Sequence, residues 1–483
     1  MRNNYSGMEV TMTMTPSRRP WLTLAVVALA QLMVVLDATI VNIALPAAQA
    51  DLGFGDADRQ WVVSAYSLAF GSLLLLGGRL NDRLGARTAF VAGLAGFALA
   101  SAVGGWAQGF GVLIAARAVQ GVFAALLAPA ALALLATTFR GTKDQGRAFG
   151  VYGAVAGGGG AVGLLLGGVL TDSLSWRWCL FVNVVIAVVV IAGALAVLPA
   201  GAAQPRGGRT DWWGAVLVVA GLFAIVLGFG RSEVLGWGSS VTVGALAVGV
   251  VLLTAFVLVE VRASAPLLPL AIVRSRVRGT SYLVMSLAAV GMFSVYLFMA
   301  YYLQRTLGFS PALAGVAFLP NAVSVAIGSA VSSAVLVPRF GIRLPVAAGS
   351  ALAAAGFVYF TGIEADAAYV TTVLPGMLMA GLGLGAVFGS AMASASDGVA
   401  PSQTGIASAT VNTTQQIGGS IGIALLTSLS LSASRVSGEI AGYHAAFWGA
   451  AVSLAVAAVL AGVLYPRRAA SPVVEPTTSA VRE

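Results

Sequence analysis

The sequence predicts an all-α membrane protein with fourteen transmembrane helices, arranged as two six-helix bundles plus two extra helices, and with both termini in the cytoplasm. The first observation is composition: 59% of the 483 residues are hydrophobic, 9% are charged, and the mean hydropathy is +0.93. Soluble domains carry about 25% charged residues, so this composition excludes an ordinary water-soluble enzyme. The other two observations are fourteen long apolar runs and an uneven distribution of arginine and lysine.

The apolar runs predict the helices, because crossing a bilayer takes about 20 apolar residues and a spanning segment must satisfy its own backbone hydrogen bonds. The first run is longer than the apolar region of a signal peptide and ends without a cleavage pattern, so we expect it to be retained. The predicted spans are 21–46, 61–78, 88–107, 111–136, 148–170, 179–199, 213–230, 240–260, 280–303, 312–336, 344–362, 369–394, 404–432 and 443–465.

Arginine and lysine predict the orientation, because they accumulate in cytoplasmic loops. With the N-terminus inside, 20 of the 26 basic residues fall in cytoplasmic segments, five fall in external loops, and Arg117 lies within a helix. The positive charge therefore indicates topology and contact with anionic lipid. No basic patch with interleaved aromatic residues points to nucleic acid. We expect a multi-pass monomer of the cell membrane.

Polar breaks divide the chain into segments. We predict a cytoplasmic tail at 1–20, a six-helix bundle at 21–200, a linker with two extra transmembrane helices at 201–278, a second six-helix bundle at 279–465, and a disordered cytoplasmic tail at 466–483. The pattern R-x-G-x-R occurs in matching loops, at Arg83–Arg87 and Arg339–Arg343, and suggests a duplicated unit of the kind common in transporters.

Asp37 is the only acidic residue well inside a predicted span. An ionised carboxylate there costs several kcal/mol unless it is paired or protonated, so Asp37 is either a structural carboxylate or a proton-binding site. Arg117 of helix 4 is its candidate partner, since at about 1.5 Å per residue both lie roughly 10–14 Å below the outer surface. The alternative is that Arg117 extends outward and anchors its helix. Gln120, Gly121 and Ala124 share the face of Arg117, which indicates a cavity or a partner helix there.

Helix 5 is rich in glycine, and glycines four residues apart allow helices to approach closely. They are Gly153 and Gly157, then Gly159, Gly163 and Gly167. This pattern fits either ordinary tight packing or a bending element at an outer gate.

The loop after helix 2 places Asp82 among arginines, which fits either a solvated turn or a charge latch between the bundles. Those arginines are Arg79, Arg83 and Arg87.

Helix 9 carries an apolar and aromatic stripe that is either packing or the wall of a substrate cavity: Met292, Phe293, Tyr296, Phe298, Tyr301 and Tyr302.

No second carboxylate lies deep in a predicted span, and Glu260 and Asp397 fall at cytoplasmic ends. The lack of a second deep carboxylate favours neutral or zwitterionic substrates, or a cation that competes for Asp37. Because the chain has one cysteine, Cys179, and one histidine, His444, a disulfide within the chain is excluded and we expect no metal.

Several of these segments match known motifs in order. They are Leu36–Pro46 in helix 1; Gly78–Arg87, similar to G-x-L-a-D-r-x-G-r-k; Leu113, Arg117, Gln120 and Gly121 in helix 4; Gly159, Gly163, Gly167 and Gly168 in helix 5; Trp176–Trp178 with Phe181 and Asn183; Tyr302–Gln304 with Gly308, Ser310, Pro311 and Gly315; and Gly405, Asn412, Gln416 and Gly419. Over residues 20–465 the set resembles the major facilitator superfamily, specifically its fourteen-helix drug:proton antiporter branch. Two positions depart from the motifs, because Ala86 replaces a basic residue and Leu164 replaces the helix-5 proline.

The resemblance implies the two-bundle major facilitator fold and export of hydrophobic or amphiphilic drugs, driven by a proton gradient with no cofactor. By analogy Asp37 and Arg117 couple protons to transport. The residues implied in gating are Gly78, Asp82, Arg83, Gly85, Arg87, Gly159, Gly163, Gly167 and Gly168. The candidates for the substrate cavity are Asn42, Gln120, Gly121, Met292, Phe293, Tyr296, Tyr301, Gln304, Asn412 and Gln416.

Three other functions are open to a chain of this kind. A proton-coupled uptake symporter would use Asp37 in the opposite direction. A membrane enzyme is disfavoured, because one histidine, one cysteine and one buried aspartate supply little catalytic chemistry. A passive channel is disfavoured because no repeated ring of polar residues is found.

Overall fold

The computed structural model describes residues 19–139, 142, 144–198, 211–263, 267, 275–396 and 404–466. The two predicted tails lie almost entirely outside these ranges, as does Asp397. Within the described ranges the chain forms fourteen long helices: α1 (Arg19–Leu52), α2 (Arg59–Leu84), α3 (Ala86–Gly105), α4 (Phe110–Thr138), α5 (Gln145–Ser173), α6 (Trp178–Val197), α7 (Trp212–Leu235), α8 (Ser240–Arg262), α9 (Arg276–Thr306), α10 (Pro311–Phe340), α11 (Arg343–Phe360), α12 (Leu374–Ser396, after a π-helical turn at Tyr369–Val373), α13 (Thr404–Ser437) and α14 (Glu439–Leu464).

Twelve of the helices in the described ranges are long and apolar enough to cross a membrane. The other two are α2 and α5. Helix α2 begins with Arg59 and carries Arg79, Asp82 and Arg83 near its end, and the apolar part of α5 is the shorter segment Gly159–Ser173. The all-helical fold class is therefore confirmed, with twelve candidate spans.

Glycine ends α2 and α10 in the same way. Gly85 has φ +83° and is the single residue between α2 and α3, and Gly341 has φ +73° just before α11. Each donates its backbone N–H to the carbonyl four residues earlier at 2.9 Å, Asn81 in one case and Val337 in the other. Glycine adopts positive φ without the steric penalty that a side chain brings. The two R-x-G-x-R patterns thus share a backbone conformation.

Helices α1–α6 and α9–α14 pack with the same pairing pattern. In the first group α1 packs against α5 and α6, α4 packs against α2 and α3, and α3 packs against α6. In the second group α9 packs against α13 and α14, α12 packs against α10 and α11, and α11 packs against α14. The pairing therefore recurs eight helices later, and we call the two groups the first and the second bundle.

The two bundles meet along two helix pairs, α2 with α13 and α5 with α10. Helices α7 and α8 pack against each other, and α7 also contacts α13 and α2. The hydroxyl groups of Ser232 in α7 and Ser428 in α13 lie 2.8 Å apart and form a hydrogen bond. The extra helices therefore lie beside the α2–α13 contact.

One continuous apolar core joins the bundles where α1 ends, α2 begins and α9 ends, which we call the α1–α2 end. It contains Ile43 and Val62 of the first bundle together with Leu297 and Phe298 of the second. A separate core, which includes Phe90 and Leu127, fills the other half of the first bundle. The orientation predicted from arginine and lysine places the α1–α2 end outside the cell.

Candidate functional site

Asp37 lies in the middle of α1 and is completely buried. Helices α4 and α6 both pack against α1 and bring three side-chain donors to its carboxylate. Oδ2 accepts a hydrogen bond from Arg117 Nη1 at 2.6 Å. Oδ1 accepts one from Asn183 Nδ2 at 2.7 Å and one from Gln120 Nε2 at 3.1 Å. Hydrogen bonds to an ionised group are stronger than neutral ones, so this arrangement suits a carboxylate.

Arg117 is 1% exposed and points into the first bundle. Besides Asp37, it donates from Nε to the Val62 carbonyl at 3.1 Å and from Nη1 to Gln120 Oε1 at 3.0 Å. Its guanidinium also lies 4.5 Å from the centre of the Tyr66 ring, a cation–π contact. A buried ion pair is tolerated only when further hydrogen bonds satisfy its remaining polar atoms, and Arg117 has these.

The α4 face next to Arg117 lies against neighbouring helices. Gln120 is fully buried, and its Nε2 also donates to Ser101 Oγ of α3 at 2.6 Å. Gly121 lies against the backbone of α2, where an added Cβ would overlap the Tyr66 carbonyl oxygen. Beside this network, a small cavity of about 10 Å³ between α1, α2, α4 and α6 has Arg117 and Cys179 in its wall. That volume holds about one water molecule.

The glycines of α5 lie against α1 close to Asp37. An added Cβ would overlap Thr39 Oγ1 at Gly163, and would lie 2.8 Å from Ile40 at Gly167 and 3.2 Å from Leu32 at Gly159. At Gly168 it would overlap the Pro311 carbonyl oxygen of α10 in the second bundle. The α5 glycines therefore permit close approach both to the helix that carries Asp37 and to the other bundle. The surroundings of Gly153 and Gly157 lie outside the described part of the structure.

A polar cluster joins the bundles at the α1–α2 end, and we call it the α1–α9 closure: Gln49, Asp56, Arg59, Tyr301 and Arg305. Tyr301 donates to Gln49 Oε1 at 2.7 Å, and Gln49 donates from Nε2 to Asp56 Oδ1 at 2.7 Å. Arg305 donates to the same Asp56 oxygen at 3.1 Å. Arg59 is 4% exposed, with its guanidinium 4.4 Å from the centre of the Tyr301 ring.

Asp56 lies in the loop between α1 and α2. Burial raises its pKa, but the hydrogen bond from Gln49 and the charges of Arg59 and Arg305 outweigh burial, so the pKa lies below its ordinary value of 3.8. The Asp56 carboxylate is therefore stabilised by its contacts across the closure.

Four of the cavity candidates fall in two places. Tyr301 is in the closure, and Gln304 donates to the Ile43 carbonyl at 3.1 Å beside it. On the face between α9 and α13, Met292 Sδ lies 3.7 Å from Gln415 Nε2 and Phe293 lies against Gly419.

The remaining candidates are more dispersed. The Tyr296 ring packs on Phe318, with centroids 6.0 Å apart, and Gln416 lies against Gly71 of α2. Asn42 donates to the Ala38 carbonyl of its own helix at 3.1 Å, and Asn412 is exposed.

The loop after α2 is described only in part, because the side chain of Asp82 lies outside the described residues. Arg83 is exposed, and Arg87 Nη2 donates to the Leu195 carbonyl of α6 at 3.3 Å. Gly78 has open space where a Cβ would stand. A role of this loop as a latch stays a prediction.

Sequence reasoning missed several residues of the site. Asn183 was noticed only as part of a motif, and Ser101 and Tyr66 carried no signal that set them apart from other small or aromatic residues. Their role depends on helix pairing, which brings α2, α3 and α6 to α1 and α4. Within the described residues no group of three His, Cys, Asp or Glu side chains is placed to hold a metal ion.

Comparison with known proteins gives the family. A model of the Major Facilitator Superfamily matches residues 27–423. The puromycin resistance protein of Streptomyces alboniger is 50% identical over 417 residues, which cover 86% of this chain and 82% of that protein. The cephamycin export protein of Amycolatopsis lactamdurans is 41% identical over 403 residues, 83% of each chain. The tetracenomycin C resistance and export protein of Streptomyces glaucescens is 36% identical over 425 residues, 87% of this chain and 78% of that one.

Solved structures show the same fold at low sequence identity. An auto-inhibited peptide transporter of the POT family has a TM-score of 0.67 at 16% identity, covering 95% of this chain and 99% of that one. A human organic anion transporter has a TM-score of 0.60 at 16% identity, covering 92% and 100%. The family assignment made from the sequence motifs is confirmed. The chain belongs to the Major Facilitator Superfamily and is a multi-pass membrane transporter, not an enzyme.

Proposed function

We propose that this transporter exports hydrophobic or amphiphilic antibiotics in exchange for protons, by alternating access between its two bundles. Asp37 is the proton site, Arg117 is its partner, and the proton gradient is the energy source for a monomeric protein. The observation that carries this proposal is the fully buried Asp37 carboxylate in a membrane helix, paired at 2.6 Å with a buried arginine of another helix. Ionisable residues inside membranes are costly, and they are typical of proton and ion pathways.

Protonation of Asp37 would remove its negative charge and weaken the attraction between α1 and α4. Arg117 would keep the Val62 carbonyl, Gln120 Oε1 and the Tyr66 ring as partners. The proton therefore changes the force between two helices without leaving a buried cation unsatisfied. Farther along α1, Ile43 and Gln49 contact α9, so the helix that binds the proton is also part of the closure.

The proton gradient is large enough for this work. One pH unit is worth about 1.4 kcal/mol, and one charge crossing 100 mV is worth about 2.3 kcal/mol. One proton per cycle therefore supports about a hundred- to thousand-fold gradient of a neutral substrate.

The proposal includes fourteen transmembrane helices, with α2 and α5 among them and both termini in the cytoplasm. Its support is packing: α2 lies against α4 and α13, and α5 lies against α1 and α10, so each connects the bundles. With this orientation the α1–α9 closure seals the outer end, and the structure corresponds to a state closed to the outside.

The substrate class follows from the relatives and from the apolar faces. The relatives are named for resistance to or export of puromycin, cephamycin and tetracenomycin C. Met292, Phe293 and Tyr296 of α9 are partly exposed, and they supply an apolar and aromatic surface beside α13. Neutral or zwitterionic antibiotics, or a cation that competes for Asp37, fit this surface.

Transport in inside-out vesicles tests the proposal, with puromycin as the probe. An acidic lumen should drive puromycin into the lumen, whereas an uptake symporter would release it. Asp37→Asn should reduce accumulation to the passive level while the protein keeps its melting temperature. Asp51→Asn is the matched control, because Asp51 lies on the same helix but is exposed. Full puromycin resistance in cells that carry Asp37→Asn would refute the assignment.

A further inference from the structure

Asn183 differs from the other partners of Asp37 because half of its amide is unused. Its Nδ2 donates to Asp37 Oδ1 at 2.7 Å, and the residue is fully buried. Its Oδ1 is also buried and has no hydrogen-bond partner. Buried polar atoms are almost always paired, so an unpaired carbonyl oxygen next to a titratable carboxylate calls for an explanation.

Gln120 carries the same kind of amide, but its orientation is fixed at both ends. Nε2 donates to Asp37 Oδ1 and to Ser101 Oγ, while Oε1 accepts from Arg117. A half-turn of this amide would place Oε1 against the carboxylate and Nε2 against the guanidinium, which repels at both contacts. Gln120 therefore serves only the ionised form of Asp37.

A protonated carboxyl group has a different requirement, because it carries an O–H donor that needs an acceptor. Arg117 has no acceptor atom, and Gln120 presents its N–H to Asp37. Asn183 has the unused acceptor. A half-turn about its Cβ–Cγ bond exchanges Nδ2 and Oδ1, so the amide makes one hydrogen bond to Asp37 in either protonation state.

We propose that Asn183 is a positioning residue that accepts a hydrogen bond from protonated Asp37 by rotating its side-chain amide. The inference rests on the proposed function, in which Asp37 binds the proton. In the step, a hydronium ion transfers its proton to a lone pair of Asp37 Oδ1, which forms an O–H bond and releases a water molecule. The hydrogen bond from Asn183 Nδ2 breaks, and one from the new hydroxyl to Asn183 Oδ1 replaces it, with no change in oxidation state.

The groups that face Asp37 from the surrounding helices define the alternatives. Among the described side chains, the charged or titratable ones are Arg117 of α4, Tyr66 of α2 and Cys179 of α6. Helix α5 faces this part of α1 with glycines. The Tyr66 hydroxyl is the competing acceptor, since it is buried and has no partner.

Infrared difference spectra of the purified full-length protein in nanodiscs, acidic minus neutral, report the step directly. The parent protein should show a protonated-carboxyl band together with a shift of a side-chain amide carbonyl band. Asn183→Leu should lose the amide change and move the carboxyl band to higher frequency. Asn183→Ser, whose hydroxyl both donates and accepts, should bring the carboxyl band back toward its original position. Asn321→Leu, at a buried asparagine of α10 that donates to the Met377 carbonyl within the second bundle, should leave both bands unchanged.

Transport gives the second measurement. Asn183→Leu should lower the rate of proton-driven puromycin accumulation about tenfold, which corresponds to about 1.4 kcal/mol in the barrier. Asn183→Ser should recover most of that rate, and melting temperatures show that the variants remain folded.

Two results would overturn the inference: an unchanged amide band in Asn183→Leu, or loss of the amide and carboxyl signature in Tyr66→Phe instead. Failure of the proposed function looks different, because Asp37→Asn would then retain both the carboxyl band and proton-driven transport.

Discussion

Replacing Gly163 with alanine tests how closely α5 approaches the helix that carries Asp37. An added Cβ at Gly163 would overlap Thr39 Oγ1 and lie 3.0 Å from the Leu36 carbonyl oxygen. The Thr39 hydroxyl cannot move freely, because it donates to the carbonyls of Leu36 at 3.1 Å and Val35 at 3.2 Å. The two helices must therefore separate to admit the methyl group.

Gly160 provides the matched control on the same helix. An added Cβ there meets only Thr39 Cγ2, at 3.6 Å, an ordinary van der Waals contact. Both substitutions gain up to about 1 kcal/mol of helix propensity, but only Gly163→Ala adds an overpacking cost of about 1–3 kcal/mol. For a bundle of this size each kcal/mol shifts the melting temperature by about 2–4 °C, so Gly163→Ala should melt about 2–12 °C below Gly160→Ala.

The assay is thermal unfolding in detergent, with proton-driven puromycin accumulation measured on the same preparations. Separation of α1 from α5 should also reduce transport in Gly163→Ala, because Asp37 lies two residues before Thr39 on α1. Adding Thr39→Ala to Gly163→Ala should restore part of the lost stability, which a double-mutant cycle measures. Equal melting temperatures for the two glycine variants would show that the helices are not in close contact and would refute this reasoning.

Two further predictions concern the α1–α9 closure. Tyr301→Phe removes the hydrogen bond to Gln49, worth about 1 kcal/mol, so the open population at the α1–α2 end should rise about fivefold, as measured by spin-label distances. Tyr302→Phe is the control, because Tyr302 bonds the Glu364 carbonyl within the second bundle; an equal response would contradict the prediction. Acid should open the same end. Burial raises the pKa of Asp56, but its partners hold the pKa below 3.8. The contribution of its carboxylate to the closure is therefore present at neutral pH and is lost as the pH falls through that lowered pKa. Asp56→Asn should abolish that acid-dependent change.

The helices were predictable because the apolar runs are long and the breaks between them are polar or contain glycine. The contact between Asp37 and Arg117 was predictable from depth alone, since both charges lie at a similar distance from the ends of their helices. Two buried opposite charges can be paired from sequence even when they are far apart along the chain, because each of them needs a partner.

Other parts of the site depend on which helices pack together, and the local sequence of a helix does not show its neighbours. Asn183 is 146 residues from Asp37 and looks like any asparagine near a helix start. Arg59 counts as an external charge in the topology, yet it is 4% exposed because the aromatic rings of α9 cover it. Such contacts arise only when the two bundles meet.

Gly85 alone connects α2 to α3, and Gly341 with Ile342 connects α10 to α11, so these consecutive helices are joined by only one or two residues. A displacement of the end of α2 must therefore displace the start of α3, and a displacement of the end of α10 must displace the start of α11. During a transport cycle the two joined helix ends are therefore expected to move together, so that a movement at this end of one bundle involves two of its helices at once.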